Sequence, residues 1–323
     1  MPLSKILILS FVLFLVACGS SSSTISAPMN FQFITNTNLP ENFDIQGHRG
    51  ARGLKPENTL PSFETALDLG VSTLELDLHY SADNVVIVWH DDEISQSKCV
   101  IGDEAPLISQ LNLTQIISTR CNLNPDLDRF PIQDNSKSLL AGDNYQIITL
   151  ENIFKFVKTY SESTLKTEAQ RSNAMQIQFN IETKRKIDKP EGINDGFNGI
   201  DPGPFELEIL RLIAQFNLQD RVIIQSFDKR SLNAIRSVNN SIRLAFLTNE
   251  DIPSPTELTR LNVNIWSPNY RDLSASLVNS AHDINLKVIP WTINDAHTMQ
   301  TLIDMGVDGI ITDRPDILLK LGQ

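Results

Sequence analysis

Val71–Asp91 reads VSTLELDLHYSADNVVIVWHD, and its two β-rich runs decide how the rest of the chain is organised. Leu74, Leu76 and Leu78 fall on one face of an extended Thr73–His79 segment and Thr73, Glu75, Asp77 and His79 on the other, the period of two of a strand. Glu75 and Asp77 therefore point the same way. A second run, Val85–Trp89, follows after only Ser81-Ala82-Asp83-Asn84. A parallel crossover needs a dozen residues or more, so the pair is predicted to be an antiparallel hairpin. With the turn centred between Asp83 and Asn84, Asp77 lies opposite His90 and Glu75 opposite Asp92. Two carboxylates and an imidazole then share one small region, the outline of a metal-and-acid site. An isolated Glu-x-Asp pair is otherwise ordinary on the solvent face of a half-buried strand, but its neighbours here are not ordinary. Phe43–Gly50 is a short strand ending in His48-Arg49-Gly50, and Lys55-Pro56-Glu57-Asn58-Thr59 opens a helix.

From Asp44 onward, strands and helices alternate. Thr59 is placed to cap a helix that Pro61 fits near its first position, with Leu60, Phe63, Ala66 and Leu67 on one face and Gly70 as the stop. After the hairpin, the stretch of about 92–146 is rich in Asp, Asn, Pro and Gly. It carries one modest helical pattern, Leu111–Ser118, and reads as an insertion. A helix at Leu150–Tyr160 resumes the alternation. Strands are predicted at Ile177–Ile181, Val222–Gln225, Arg243–Leu247, Val263–Trp266, Val288–Trp291 and Gly309–Ile311. Helices fall between them at Phe205–Phe216, Lys229–Val238, Pro255–Leu261, Leu273–Asn285 and Ala296–Met305. With Ile45–Gly47 and Leu74–Leu78 the strands fit an α/β fold of the (β/α)8 TIM-barrel kind, carrying a hairpin after strand two. An open doubly wound sheet is the other arrangement, but no Gly-rich nucleotide fingerprint follows the first strand.

Composition narrows the class. Lys and Arg number 27 against 39 Asp and Glu, a formal charge of −12, which argues against a nucleic-acid partner. Met1–Val16 carries one cation, Lys5, before an apolar run from Ile6 to Val16. That run is shorter than the roughly 20 residues a spanning helix takes, so it reads as an export signal, residues 1–17. Leu15-Val16-Ala17-Cys18 resembles the bacterial lipoprotein box, in which the cysteine, here Cys18, is lipidated; ordinary secretory cleavage after Ala17 is the alternative. Residues 18–40, with Gly19 and Ser20–Ser23, then form a flexible tether to a membrane, and 41–323 the catalytic domain. In such lipoproteins an aspartate after the cysteine commonly marks inner-membrane retention. Gly19 is not one, so the expected location is the outer membrane, facing the periplasm. Of three cysteines, Cys99 and Cys121 remain. They are expected to pair in an oxidising compartment, since no Cys-x-x-Cys or Cys/His cluster suggests zinc.

Functional residues of barrels collect at the C-terminal ends of the strands. His48 and Arg49 end the first strand, Glu75 and Asp77 lie along the second, Glu182 and Lys184 close a third, and Trp291 ends a late one. Like charges that close together destabilise a fold, and a hard divalent cation held by carboxylate oxygens is the natural compensation.

Several motifs in order carry a resemblance: His48-Arg49-Gly50, Pro56-Glu57-Asn58-Thr59, Glu75-Leu76-Asp77, His90-Asp91, Ile181-Glu182-Thr183-Lys184, Trp291-Thr292-Ile293-Asn294 and Gly306–Pro315. From about Asp44 to Leu319 the chain resembles the bacterial glycerophosphodiester phosphodiesterases. The resemblance implies a barrel enzyme that binds Ca²⁺, or alternatively Mg²⁺, through Glu75, Asp77 and Glu182. His48 and His90 would be its acid–base pair, with Arg49 and Lys184 on the phosphate. Trp291 is expected in the pocket wall; it and Phe227 have barrel-core packing as their alternative. Glu57 either meets the substrate or only holds the Arg49 loop.

There are departures. Ile147-Ile148-Thr149-Leu150 replaces the usual proline-threonine-leucine, and His79, predicted to face inward, stands where a hydroxyl or aliphatic residue is more usual. The long insertion resembles that of exported members. Ile187–Pro204 is expected over the same rim, as a specificity loop or a solvated connection. His282 and His297 fall in helical surface patterns. Two other functions share some of these features: a phospholipase D-like enzyme forming cyclic phosphates from choline phospholipids, and a lipoprotein that binds phosphodiesters without turnover. The Pro-Glu-Asn-Thr run with Glu182 and Lys184 favours the hydrolase over the first. The full set of histidines and carboxylates favours it over the second, because a binder has no need of a general acid.

Overall fold

The computed structural model describes residues 39–102 and 105–321. The expected export signal, Cys18 and all but the end of the tether lie outside them. Among the described residues ten strands form the framework: β1 (Asp44–Gly47), β2 (Thr73–Tyr80), β3 (Val86–Val88), β4 (Ile148–Thr149), β5 (Gln178–Thr183), β6 (Val222–Ser226), β7 (Arg243–Thr248), β8 (Ile265–Pro268), β9 (Lys287–Val288) and β10 (Gly309–Thr312). Eight of them run parallel in the order β10-β1-β2-β5-β6-β7-β8-β9. The ring closes where Asp308 N donates to Val288 O at 2.9 Å and Ile311 N to Pro290 O at 3.0 Å. This is the predicted (β/α)8 barrel.

Every residue of β2 is buried, so the strand has no solvent face. Leu74, Leu76 and Leu78 pack outward beneath the helices, while the opposite parity points into the barrel. Inside, one sector is apolar, built from Ile223, Ala245, Ile265, Ile289 and Ile311 with Trp291 against them. The other is a ladder of buried amides and carboxylates that runs toward Glu75. Asn180 Nδ2 donates to Gln46 Oε1 and to Gln225 Oε1 at 2.7 and 2.9 Å, and Gln225 Nε2 donates to Glu75 Oε1 at 2.8 Å.

The first helix, Leu60–Leu69, has Thr59 as its cap and ends at Gly70, whose φ of 93° needs a glycine. Helices Lys229–Val238 and Pro255–Leu261 have the predicted bounds, whereas Leu273–Asn285 shortens to Ala275–His282. Two late strands shift as well: Ile265–Pro268 replaces Val263–Trp266, and Lys287–Val288 replaces Val288–Trp291, leaving Trp291 on a single bridge to Asn269. A helix at Glu168–Gln176 was not expected, because EAQRSNAMQ has no apolar stripe to announce it.

The hairpin needs a larger correction. Its turn holds three residues, with Asn84 left-handed at φ 64° and Ser81 N donating to Val85 O at 3.0 Å. The extra residue moves the register by one. Leu78 pairs with Val88, and Asp77 O accepts from Trp89 N, so Asp77 faces Trp89 rather than His90. Strand β3 then pairs with β4, tying together the ends of the insertion. Within it the helix spans only Leu113–Ile117, and Ile94, Ile108 and Ile116 join Ile87, Trp89 and Ile147 from its flanks in a small core around a Cys99–Cys121 disulfide.

Candidate active site

Strand parity delivers three carboxylates to one point. Glu75 and Asp77 come from β2 and Glu182 from the adjacent β5, where Asp77 is in register with Glu182. One oxygen from each lies within 4.8 Å of the others, and all three side chains are buried. Burial, then the Asp77 and Glu182 charges, push Glu75 well above the usual carboxylate range. Burial also raises Glu182, against the pull of Lys184. Burial would raise Asp77 too, but Arg49 outweighs it and holds Asp77 well below the usual range. Asp77 Oδ2 accepts from Asn58 Nδ2 at 2.9 Å, whereas its buried Oδ1 accepts no hydrogen bond and has Lys184 Nζ at 3.5 Å. Hard oxygen donors, mutual repulsion and an unsatisfied carboxylate oxygen suit this cluster to hold a divalent cation.

His48 follows directly on β1. Its Nδ1 lies 2.6 Å from Asp313 Oδ1, while Arg49 Nε donates to Nε2 at 3.2 Å, so the proton belongs on Nδ1. His90 has the same relation to its neighbour, with Nδ1 at 2.6 Å from Asp91 Oδ1. Burial and then the Arg49 charge lower both histidines, His90 to about 3, so each imidazole is neutral in the free protein.

Arg49 bends back with φ 52°, and Gly50 at φ 88° follows, where a Cβ would meet Ser62 Oγ at 2.6 Å. That turn aims the guanidinium at Asp77, with Nε at 3.1 Å from Oδ2, and at Glu57, with NH1 at 2.9 Å from Oε1. Glu57 also pairs with Arg52 Nε at 2.7 Å and Lys98 Nζ at 2.8 Å. Burial favours the acid form of Glu57, but Arg49, Arg52 and Lys98 together keep it ionised.

These groups open on a cavity of about 360 Å³ at the C-terminal rim. His48, Arg49, Glu75, His90, Glu182 and Lys184 line it, whereas Asp77 lies behind them and does not, and Trp291 and Phe227 form a wall. The two rings meet edge to face at 5.6 Å. Phe227 is 42% exposed, which removes the core-packing alternative for it. Glu57 does not line the cavity; it holds the Arg49 loop from behind. His79 is fully buried, with Nε2 3.2 Å from His90 O and Nδ1 3.3 Å from Gly192 O, and it does not reach the cavity either. None of the described residues of Ile187–Pro204 lines it. Arg185 ties that segment to the helix after it, pairing with Asp195 in the segment and Glu206 in the helix, both at 2.8 Å. Sequence reasoning missed Arg52, Asp91, Lys98 and Arg129 of the lining, and Asp313 behind His48. Asp91 and Asp313 were visible inside the His-Asp and Thr-Asp-Arg-Pro motifs but carried no spacing that assigned them a partner.

Neutral histidines backed by carboxylates, beside an arginine and a lysine in a barrel rim, suit proton transfer at an anionic ester, so fold and site define a barrel hydrolase. The model of the Glycerophosphoryl diester phosphodiesterase family matches residues 48–317, and the chain belongs to that family. A glycerophosphodiester phosphodiesterase of Caldanaerobacter subterraneus subsp. tengcongensis is 25% identical over 278 residues, covering 86% of this chain and 96% of its relative. Among solved structures, one from Silicibacter pomeroyi superposes with a TM-score of 0.72 at 23% identity, covering 87% of this chain and 94% of that one. A phosphodiesterase of Oleispira antarctica, solved with the product sn-glycerol-3-phosphate, gives 0.64 at 21% identity, covering 88% and 95%.

Proposed function

We propose that this enzyme hydrolyses glycerophosphodiesters to glycerol 3-phosphate and an alcohol such as choline or ethanolamine, with a divalent cation and two histidines. The observation that carries the reading is the cluster of Glu75, Asp77 and Glu182, of which Glu75 and Glu182 line one cavity together with His48 and His90. A phosphodiester is already anionic and repels nucleophiles. Arg49 and Lys184 offset that charge and stabilise the more negative transition state. Held by Glu75, Asp77 and Glu182, Ca²⁺ or alternatively Mg²⁺ supplies further positive charge for the phosphoryl oxygens.

Two proton transfers remain. With its proton on Nδ1, His48 carries its lone pair on Nε2; once the arriving phosphate draws the Arg49 guanidinium off that nitrogen, it takes the proton of a free hydroxyl on the substrate's own glycerol as that oxygen attacks phosphorus. His90 delivers a proton to the departing alcohol oxygen, the bond from phosphorus to that oxygen breaks, and a cyclic phosphate remains. Water then opens the ring, with His90 taking its proton and His48 returning one to the glycerol oxygen. Burial first and the Arg49 charge second keep His90 neutral in the free protein; the arriving phosphodiester anion opposes the second and lets the imidazole take up a proton from solvent. The acid is thereby loaded with substrate in place.

The test is a coupled assay for glycerol 3-phosphate released from glycerophosphocholine, with and without chelator. No release with any divalent cation overturns the function. Brisk hydrolysis of a diester lacking the free glycerol hydroxyl, with no cyclic intermediate, replaces the route with direct attack by water. The same proposal sets the enzyme in the bacterial cell envelope, anchored to the outer membrane through lipid on Cys18, as the Ile6–Val16 run and the Leu15–Cys18 box support. A Cys18→Ser chain should leave the membrane fraction and keep its activity; unchanged membrane association counts against the anchor.

A further inference from the structure

Lys98 belongs to the insertion and not to the barrel, yet its ammonium lines the catalytic cavity. Its backbone is held on every side. Lys98 N donates to Ser95 O at 3.1 Å, Lys98 O accepts from Leu123 N at 3.1 Å, and the next residue, Cys99, is bonded to Cys121. The side chain is 11% exposed, with Nζ 2.5 Å from Asp91 Oδ2, 2.8 Å from Glu57 Oε1 and 5.5 Å from the Trp89 ring centre. The other Asp91 oxygen is the partner of His90 Nδ1.

His90 itself lies beyond the end of β3, where no strand pairing orients it. Its carbonyl is held by His79, and among the described residues its ring is hydrogen-bonded by Asp91 alone. Asp91 has a side chain 31% exposed, so water competes for it unless a second group pins it. Lys98 is that group.

We propose that Lys98 is a positioning residue for His90: it clamps Asp91, which keeps the His90 proton on Nδ1 and Nε2 toward the cavity, and the Cys99–Cys121 bond keeps Lys98 in reach. The inference rests on the reading of His90 as an acid–base group. It makes the insertion a working part of the active site, because breaking one disulfide reaches His90 through one side chain. The competing role for Lys98 is service to Glu57 alone, and through it to Arg49 on the phosphate side.

The experiment uses the whole chain labelled with ¹⁵N-histidine, with the His90 signals assigned from a His90→Asn spectrum. Wild-type His90 is expected as the single tautomer protonated at Nδ1, and Lys98→Met and Cys99→Ser/Cys121→Ser as mixtures of tautomers. In kinetics, Lys98→Met should lower kcat on the order of 10-fold, the usual scale for losing a group that orients a site residue, with KM within about twofold. That loss should disappear in an Asp91→Asn background and persist in full in Glu57→Gln, and Lys98→Arg should recover most of it. Unchanged His90 nitrogen shifts in Lys98→Met, or a loss that persists with Asp91→Asn and vanishes with Glu57→Gln, overturns the proposal. If the double cysteine variant does not fold, Lys98→Met alone decides. Wild-type inactivity on glycerophosphodiesters would sink the functional reading while the tautomer measurement still tests the clamp.

Discussion

Asp313 Oδ1 lies 2.6 Å from His48 Nδ1, although 265 residues separate the two in sequence. The parallel pairing of β1 with β10 brings them together: His48 N, one residue past β1, donates at 2.9 Å to the carbonyl of Thr312, the last residue of β10, and Asp313 follows. Asn294 Nδ2 holds the other Asp313 oxygen at 2.8 Å. Burial would favour the neutral acid, but His48 keeps the Asp313 carboxyl well below the usual carboxylate range. Asp313→Asn should therefore fold and yet fail. An amide can donate where the carboxylate only accepts, which favours the His48 tautomer with Nε2 protonated and no lone pair for the substrate. A fall in kcat on the order of 10²-fold or more is expected, with an unchanged melting curve. A loss under about threefold would detach Asp313 from the chemistry, since a positioned base is worth far more.

The carboxylate cluster makes a prediction that needs no turnover. Glu75 and Glu182 are raised by burial in a site that also holds Asp77, so a bound cation relieves repulsion that the empty fold carries. Ca²⁺ or Mg²⁺ at 100 times its Kd should stabilise the protein by about 2.7 kcal/mol, read as a rise in Tm. Glu182→Gln should reduce the rise sharply, and so should Gln225→Leu, which leaves Glu75 Oε1 without its donor. A Tm indifferent to every divalent cation would remove the metal from the site.

What the sequence made legible was parity. Glu75, Asp77 and Glu182 could be set on one face because a strand period of two is rigid, and barrel strands send that face to one rim. Register was another matter. It depended on whether the turn was Asp83–Asn84 or Ala82–Asn84, and Asn84 in the left-handed region is compatible with either until the ladder is seen. Partners far apart in sequence were also hidden. His48 with Asp313 and Lys98 with Asp91 are facts of packing, and neither aspartate's motif says which side it serves. The path of Ile187–Pro204 was hidden for a similar reason: the Arg185–Asp195 ion pair that holds it joins residues 10 apart across an irregular stretch, and none of its residues lines the cavity.

The aromatic wall should affect binding more than chemistry. Phe227 meets Trp291 edge to face and leaves much of its ring toward solvent, so its truncation removes contact area without touching the histidines. Phe227→Ala should cost roughly 1 kcal/mol of binding, about a fivefold rise in KM, with kcat little changed. Trp291→Ala should be worse and should also lower Tm, because the indole packs on the apolar barrel sector and donates to Ser267 O at 2.9 Å. Equal losses in kcat and KM effects for Phe227→Ala would mean that the wall orients the reacting atoms.

The last prediction concerns stability in acid, and it turns on Asp195. Arg185 pairs with Asp195 and Glu206 with hardly any of the three side chains exposed. Burial alone would raise the Asp195 carboxyl, but hydrogen bonds from Arg185 and the guanidinium charge lower it below its ordinary value. A carboxyl depressed by folding gives stability that is fully present above its unfolded value, about 3.9, and is lost as pH falls through the folded one. Removing one partner of a buried pair costs roughly 3 kcal/mol, so Asp195→Asn should be less stable than the wild type by about that much near neutral pH. The difference should hold down to about pH 5 and then narrow as the wild type alone loses its pairing. Denaturant titrations of both proteins across this range measure it. A gap that stayed constant into strong acid would show that Asp195 stabilises the segment through its hydrogen bonds to Phe197 N and Phe205 N rather than through its charge.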